Sequence, residues 1–301
     1  MTDKTERIPR VKSSPWNRLQ VAAGLVLALA VAASACYWLF LERSHQRLLA
    51  GTIQGIERQS ARLAGAVSRQ MALLARLIDL TVIGLREALA ANDERGFQET
   101  VRRVLAAFPA GAVPQIGYAD RYGYLIYSTA GIAGRLYLGD REHFKFHVDR
   151  QGEDRLFISH PVLGRASGAW SIQFTRPIHR EGRFGGIVVF SVSPHYIASS
   201  LVLPEAGSED IVSVVYPDGA FAARSKNMDD ALGKAAPPDR PFVGAGAPLS
   251  GTVRLTSAVD RTERVSETMS SRLWDAVAEA EWDMDSDLSI RKVMSTGLPA
   301  R

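Results

Sequence analysis

Residues 117–197 contain the stretch that decides the fold, which reads GYADRYGYLIYST at 117–129, LGDREHFKFH at 138–147 and RLFISHPVLGRASGAWSIQFTRPIHREGRFGGIVVFSVSPHYI at 155–197. Apolar runs bounded by Asp, Gly and other turn residues predict five strands, at 115–119, 124–128, 155–162, 169–178 and 185–192. Residues 141–148 have helical spacing instead. An antiparallel sheet covered by helices indicates an α+β fold.

A second, shorter set of strand-like runs follows at 211–216, 220–225 and 252–259. The first two flank Pro217-Asp218-Gly219, which is a strong hairpin signal. The two sets share an ordered pattern, namely Asp120, Gly123, Ser128 and Leu138 against Asp218, Gly219, Ser225 and Leu232. The pattern predicts a duplicated subdomain, although hairpins with Asp and Gly are common enough for chance to be the alternative.

Upstream of the strands, residues 19–41 form the most apolar segment, LQVAAGLVLALAVAASACYWLFL, without a charged residue. Its length matches the hydrocarbon core of a bilayer, so we expect one transmembrane helix. Basic residues at positions 4, 7, 10, 12 and 18 place the N-terminus in the cytoplasm and everything after 41 outside. The alternative is cleavage after Ala35 or lipidation of Cys36, which would leave the apolar run 37–41 near a new N-terminus.

The segment 42–95 is predicted to form one long stalk helix, because it contains no proline and its apolar residues recur every three, four or seven positions. These residues are Ile56, Leu63, Val67, Met71, Leu74, Ile78, Val82, Leu85 and Leu89. Packing of this stripe against the chain's own sheets is the favoured interpretation. A homodimer seam along the stalk helix is the second one.

Composition excludes several classes of function. The 36 basic and 32 acidic residues are mixed along the chain, which argues against a nucleic-acid partner. A single cysteine excludes an intramolecular disulfide and a cysteine zinc cluster. His143 and His147 have the spacing of metal ligands but lack a third ligand, so a solvated helix face is expected there. No nucleotide-binding or catalytic motif is found, and we expect no metal, no cofactor and no enzymatic activity.

The three runs quoted above resemble the membrane-distal part of double Cache (PAS-like) sensor domains, as found in the N-terminal half of bacterial membrane diguanylate cyclases. The resemblance is specific over 117–197 and holds only in outline elsewhere. It implies a long N-terminal helix spanning two stacked PAS-like subdomains, of which the distal one binds a small metabolite. It also implies a single-pass protein of the bacterial inner membrane with its sensor in the periplasm.

The expected organisation has six parts: a basic cytoplasmic tail at 1–18, the transmembrane helix at 19–41, the stalk helix at 42–95, a distal subdomain at 96–200, a proximal subdomain at 201–265 and an acidic tail at 266–301. After Val265 the sequence has clustered acids and no strand alternation, where the resemblance predicts closing strands, a second span and a cytoplasmic output domain. One hypothesis is a frameshift or premature stop that leaves the second sheet incomplete. The other is a genuine tail, with an amphipathic helix through Leu273, Val277 and Met284.

The resemblance implies a ligand pocket between the sheet and the segment with Asp140, Arg141, Glu142 and Phe144. A guanidinium holds a carboxylate through two charge-assisted hydrogen bonds, so Arg141 is the expected anchor. Asp140 either holds an amine or caps the following helix. The remaining candidates for the pocket wall are Tyr118, Tyr127, Ser159, Trp170 and Gln173. The Arg-x-Trp-Tyr pattern of amino-acid-binding members is absent.

Two functions follow as hypotheses. The first is a membrane-anchored extracytoplasmic sensor that binds an organic acid or amino acid, as the sensor part of a truncated or frameshifted diguanylate cyclase. The second is a membrane-tethered interaction or scaffold protein with a PAS-like fold and no small-molecule ligand.

Overall fold

The computed structural model describes residues 15–202, 210–244, 250–256, 259, 263–271 and 290–297. The chain forms two compact units, 1–56 and 57–301. Helix α1 (Pro15–Ala90) contributes to both units. In the first unit, Ala22–Arg47 has a mean hydropathy of 2.1 and is long and apolar enough to cross a membrane. Its apolar side chains, such as Leu25, Val26 and Phe40, are exposed.

In the second unit, α1 carries the buried stripe that the periodicity predicts. Val67, Ile78, Val82 and Leu85 are fully buried against the sheets, so the packing interpretation is confirmed. The side chain of Ile56 lies outside the described residues.

Helix α1 ends earlier than expected. Asn92 adopts a left-handed conformation (φ 55°), and Asp93 caps a new helix, α2 (Glu94–Ala107). The Asp93 carboxylate accepts a hydrogen bond from the Gly96 amide at 2.9 Å, which satisfies one of the free donors at the helix start. The expectation of a single helix to residue 95 is therefore wrong at its C-terminal end.

The first sheet confirms the α+β class and has the order β2-β1-β6-β5-β3, with β4 also paired to β5. Its elements are β1 (Gln115–Asp120), β2 (Leu125–Ser128), α3 (Glu142–Asp149), β3 (Phe157–Ile158), β4 (Val162–Leu163), β5 (Trp170–Arg180), β6 (Arg183–Val192) and α4 (Pro194–Ser200). The strand predicted over 155–162 is two short strands instead. Pro161 lies between them and has no amide hydrogen for a ladder bond.

Helix α1 is tied to this sheet by buried charges. The Arg176 guanidinium on β5 donates to both Asp79 carboxylate oxygens, at 2.6 and 2.9 Å, and both residues are buried. Arg176 also donates to the Asp154 carboxylate at 2.8 Å, and Asp154 forms an ion pair with Arg86 of α1. The network fixes the position of α1 along the sheet.

The second sheet corrects the expectation that strands are missing after residue 265. Its order is β8-β7-β11-β10-β9, built from β7 (Ile211–Val215), β8 (Phe221–Arg224), α5 (Met228–Ala231), β9 (Ser250–Thr256), β10 (Glu263–Ser271) and β11 (Ile290–Gly297). Strand β11 pairs with β7 on one side and with β10 on the other. As an inner strand of the sheet, β11 has neighbours on both edges, although its sequence shows no regular alternation. The amphipathic helix proposed for 273–284 lies outside the described residues.

The two sheets share a hydrogen-bonding scheme, which supports the predicted duplication. The amide of Ile116 donates to the Thr129 hydroxyl, and that of Val212 donates to the Ser225 hydroxyl. A second pair of equivalent bonds joins Leu138 to the Gly123 carbonyl and Ala236 to the Gly219 carbonyl. The equivalences correct the sequence alignment at two places, because Ser225 corresponds to Thr129 rather than to Ser128, and Leu138 corresponds to Ala236 rather than to Leu232.

Candidate functional site

A small cavity lies between the first sheet, the start of α3 and the segment 162–166. Its volume is about 20 Å³, enough for about one water molecule. It is lined by Gln115, Leu125, Leu138, Arg141, His143, Val162, Leu163, Gly164, Arg165, Ala166, Gln173 and Val189. Five consecutive residues, 162–166, form one wall, so this segment controls the size of the cavity.

Strand alternation decides which side chains reach the cavity. Gln173 and Gln115 both pair with Ser191 in the ladder, whereas the neighbouring Ile116 and Phe174 belong to the core under α1. The Gln173 side chain is fixed, because its amide donates to the Ser171 hydroxyl at 2.8 Å and its oxygen accepts from the Ser191 hydroxyl at 2.6 Å.

Arg141 stands at the N-cap position of α3 and contributes its guanidinium to the cavity wall. One Nη donates to the Leu163 carbonyl at 3.2 Å, which links the helix start to the 162–166 segment. Burial and the neighbouring Arg165 guanidinium lower the pKa of Arg141. Within the described part of the chain Arg141 forms no ion pair with a carboxylate.

Asp140 is engaged in a bidentate ion pair with Arg165, with nitrogen–oxygen distances of 2.6 and 2.7 Å. Arg165 also donates to the Tyr137 carbonyl at 2.5 Å. The hydrogen bonds from Arg165 lower the pKa of Asp140 to about 2. Asp140 does not cap α3, whose N-cap is Arg141 without a side-chain hydrogen bond, so the capping alternative is wrong. The ion pair connects the 162–166 segment to the residues at the start of α3.

Two buried polar side chains face the cavity without a hydrogen-bond partner among the described residues. These are Gln115 and His143, each 5% exposed. Burial lowers the pKa of His143 to about 4, so the imidazole is neutral at pH 7 and offers one donor and one acceptor. Buried polar groups are nearly always hydrogen-bonded in folded proteins, so both groups are available to a ligand or to water.

The expectation of a solvated face at His143 and His147 is wrong, because both side chains are buried. His147 lies outside the cavity lining, and its Nε2 is 2.9 Å from the Thr175 hydroxyl. Burial lowers the pKa of His147 to about 3. Among the described residues, no group of three potential ligands is arranged to hold a metal ion.

Three of the predicted wall residues are placed in the core instead. Phe144 packs edge-on against Phe184, with ring centroids 5.9 Å apart. Tyr118 and Tyr127 pack against Phe97 of α2, on the face of the sheet opposite the cavity. The structure therefore does not bring these three aromatic rings into the cavity.

The other two predicted residues contact the second subdomain. Ser159 is buried, and its carbonyl accepts a hydrogen bond from the Tyr216 hydroxyl at 2.6 Å. Trp170 lies against the backbone of Gly233, which follows α5. Of the eight predicted residues, Arg141 and Gln173 line the cavity and Asp140 stands beside it.

Sequence reasoning missed Gln115, His143 and Arg165. Gln115 carried a usable signal, since it is a polar residue at a core-facing position of a predicted strand, and such a residue needs a partner. Assigning His143 to the cavity requires knowledge of which side of α3 faces the sheet. Arg165 stands in a connection, and its pairing with Asp140 is a tertiary contact that spacing does not predict.

His160 joins the two subdomains near the cavity. Its Nε2 is 3.0 Å from the Asp218 carboxylate of the β7–β8 turn, and its Nδ1 is 3.5 Å from the Glu142 carboxylate of α3. The contact with Glu142, and then that with Asp218, raises the pKa of His160. The His160 ring also packs against the Tyr216 ring in a tilted arrangement, with centroids 4.4 Å apart.

Comparison with known proteins gives matches in structure only. No protein-family model and no curated protein match the sequence. The extracellular domain of rpHK1S-Z16, assigned as a histidine kinase, matches with a TM-score of 0.62 and 17% identity over 83% of this chain and 96% of that one.

Two chemoreceptor domains match at a similar level. The ligand-binding domain of the Pseudomonas aeruginosa amino acid chemoreceptor PctB, in complex with L-Arg, gives a TM-score of 0.59 and 13% identity over 81% of this chain and 96% of that one. The ligand-binding domain of the Pseudomonas fluorescens chemoreceptor CtaA, in complex with L-serine, gives a TM-score of 0.57 and 12% identity over 81% of this chain and 98% of that one. The chain has the Cache-type fold of the extracellular ligand-binding domains of bacterial chemoreceptors and histidine kinases.

Proposed function

We propose that the chain is the extracytoplasmic sensor of a membrane signalling protein, and that the cavity beside Arg141 binds a small organic acid or amino acid. The observation that carries the proposal is a cluster of polar groups without protein partners that line one small cavity. Arg141 lacks a carboxylate partner, and Gln115 and His143 are buried without hydrogen bonds, among the described residues. A ligand carboxylate would satisfy all three.

The cavity is too small for an organic ligand in this structure, so the proposal includes an outward movement of the 162–166 segment. At about 20 Å³ the space is far below the roughly 300 Å³ of small ligand sites. The segment is held by the Arg165–Asp140 pair and by the hydrogen bond from Arg141 to Leu163. A ligand carboxylate that takes over the Arg141 guanidinium would release the second of these contacts.

The proposal places the protein in the bacterial inner membrane as a single-pass protein, with the N-terminus in the cytoplasm and the sensor in the periplasm. The apolar segment Ala22–Arg47 and the basic residues that precede it support this topology. Protease digestion of spheroplasts tests it. We expect degradation of the sensor and protection of an N-terminal tag, and the reverse result would overturn the orientation.

We also infer that the sensor controls a cytoplasmic diguanylate cyclase activity. The support is the sequence resemblance over 117–197 to the sensor half of such enzymes. Cyclic di-GMP measured in cells that express the chain, with and without a ligand identified in vitro, tests this inference. Unchanged levels would remove the cyclase link and leave ligand binding unaffected.

A homodimer along α1 is the third part of the proposal. Leu73, Leu77 and Leu80 recur at helical spacing on the face of α1 opposite the core and are 69, 56 and 61% exposed. Two copies in one membrane would present these stripes in parallel. Sedimentation in detergent of the full chain and of Leu77→Asp tests the seam. A monomeric wild-type chain would contradict it.

Thermal unfolding of the full chain in detergent, with a panel of small organic acids and amino acids, tests the binding function. A ligand that binds only the folded state raises the free energy of unfolding, by about 2.7 kcal/mol at a hundredfold excess over Kd, and the melting temperature rises with it. We expect Arg141→Ala to abolish this rise. Arg121→Ala, in the exposed β1–β2 turn, is the matched control and should retain it. No response to any compound would favour the scaffold function.

A further inference from the structure

We infer that the cavity selects carboxylates that lack an ammonium group, so that its ligands are organic acids and not the zwitterionic amino acids. This inference rests on the proposed binding function and narrows it to one chemical class. It is based on the charges of the cavity lining: an amino acid needs a negative group for its ammonium, and the lining contains none.

The lining contains two arginines and no carboxylate. Its only charged residues are Arg141 and Arg165. The neighbouring carboxylate, Asp140, holds Arg165 in two short hydrogen bonds and is not part of the lining. Among the described residues Arg141 therefore has no carboxylate in ion-pair contact, and a negatively charged group of the ligand can take that place.

The uncharged polar groups also favour an acid. The Gln115 amide offers donors to a carboxylate oxygen, and neutral His143 offers one donor and one acceptor. A hydroxyl or keto oxygen next to the carboxylate would use the remaining groups. Gln173 contributes nothing further, because its amide and its oxygen are already bonded to Ser171 and Ser191.

An ammonium group has no charged counterpart in the cavity lining, where the only acceptors on side chains are the neutral ones of Gln115, Gln173 and His143. It would lose its hydration beside Arg141, and an unpaired ion in a buried site carries a large desolvation penalty. The carbonyl of Leu163 already accepts a hydrogen bond from Arg141, whose positive charge disfavours an ammonium group beside it. An amino acid would therefore bind more weakly than the acid of the same carbon skeleton.

Isothermal titration of the full chain in detergent with matched pairs tests the inference. The pairs are L-lactate with L-alanine, acetate with glycine, and succinate with L-aspartate. We expect at least one acid to bind at least tenfold more tightly than its amino-acid partner. Equal or tighter binding of the amino acid in every responsive pair would overturn the inference and leave the proposed binding function standing. No binding by any of the six compounds would overturn both.

A single substitution provides a second test that does not depend on absolute affinity. Gln115→Glu places a carboxylate in the cavity at nearly constant volume, and it should weaken the acid and strengthen the amino acid, reversing the ratio of their dissociation constants. Gln151→Glu, in the exposed turn after α3, is the control and should leave the ratio unchanged. If Gln115→Glu left the ratio at its wild-type value while both compounds still bound, the charge argument would be wrong.

Discussion

Replacement of Asp79 by alanine removes the carboxylate that anchors α1 to the first sheet. Asp79 accepts two hydrogen bonds from Arg176, at 2.6 and 2.9 Å, and the two side chains are 6 and 8% exposed. In Asp79→Ala, Arg176 stays buried with Asp154 as its remaining partner. Asp154 is half exposed and is shared with Arg86, so it compensates the guanidinium only in part.

The expected cost is large because a buried charge loses its partner while its own desolvation remains. Breaking a buried ion pair from one side costs about 3–5 kcal/mol of unfolding free energy. For a unit of this size, that corresponds to a fall in melting temperature of about 6–20 °C. The double variant Asp79→Leu/Arg176→Met removes both charges and should recover most of the loss, since apolar replacements of a buried pair are often neutral or stabilising.

Urea denaturation of the full chain in detergent, followed by tryptophan fluorescence, measures these changes. The matched control is Glu99→Ala, which breaks the exposed pair between Glu99 and Arg102 of α2 and should cost less than about 1 kcal/mol. A loss below about 1 kcal/mol for Asp79→Ala would refute the reasoning. So would a double variant as unstable as the single one, because the penalty would then not arise from the unpaired guanidinium.

Acidification should destabilise the sensor, because burial lowers the pKa of His143 to about 4 and that of His147 to about 3. Below about pH 6.5 these histidines bind protons in the unfolded chain before they do so in the folded one. The free energy of unfolding therefore falls by about 2 kcal/mol per histidine at pH 5, which urea titrations measure. His160 has the opposite sign: its pKa is raised, so its contacts stabilise the fold at acidic pH and are lost as pH rises through the folded pKa. His160→Gln should therefore lower the melting temperature at pH 6 and change it little at pH 9. Gly186→Ala should cost about 3 kcal/mol or more in thermal unfolding, because φ is 132° and a Cβ atom would lie 2.0 Å from the Ala119 carbonyl oxygen.

Gly182→Ala is the matched control for Gly186→Ala. Gly182→Ala has φ 72° and open space around the added methyl, so it isolates backbone strain at about 1–2 kcal/mol. Equal losses of stability in Gly186→Ala and Gly182→Ala would show that the close contact between the new methyl group and Ala119 is relieved. Stability that is flat between pH 7 and pH 5 would contradict the burial argument for His143 and His147.

The elements of the fold could be predicted from the sequence where the signal is local. Strands β1, β2, β5 and β6 and the buried stripe of α1 follow from residue periodicity and turn residues, and the structure confirms them. The stop of α1 near Asn92 was missed, because the left-handed turn and the Asp93 cap are set by two residues inside an otherwise helical pattern. Strand β11 was missed because its identity depends on pairing with β7 and β10, which are distant in sequence.

The candidate site could be predicted only in part, for a related reason. Arg141 and Gln173 line the cavity, Arg141 from the start of α3 and Gln173 from β5. Phe144 and Tyr118 were assigned to the wall but pack in the core. A change of one residue in the phase of α3 or β1 exchanges the core face for the cavity face, and the sequence does not define the phase to that accuracy.

The sequence by itself determined the α+β class, the apolar N-terminal segment and the core stripe of α1, because helix and strand periods and the length of an apolar run are properties of neighbouring residues. Tertiary structure alone decided that Arg165 neutralises Asp140, and that Gln115 and His143 face one cavity without partners among the described residues. These contacts join segments that are far apart in the chain, and they are fixed by sheet register and by the position of the 162–166 segment. The charge of the cavity, and with it the class of ligand inferred here, depends on those long-range contacts.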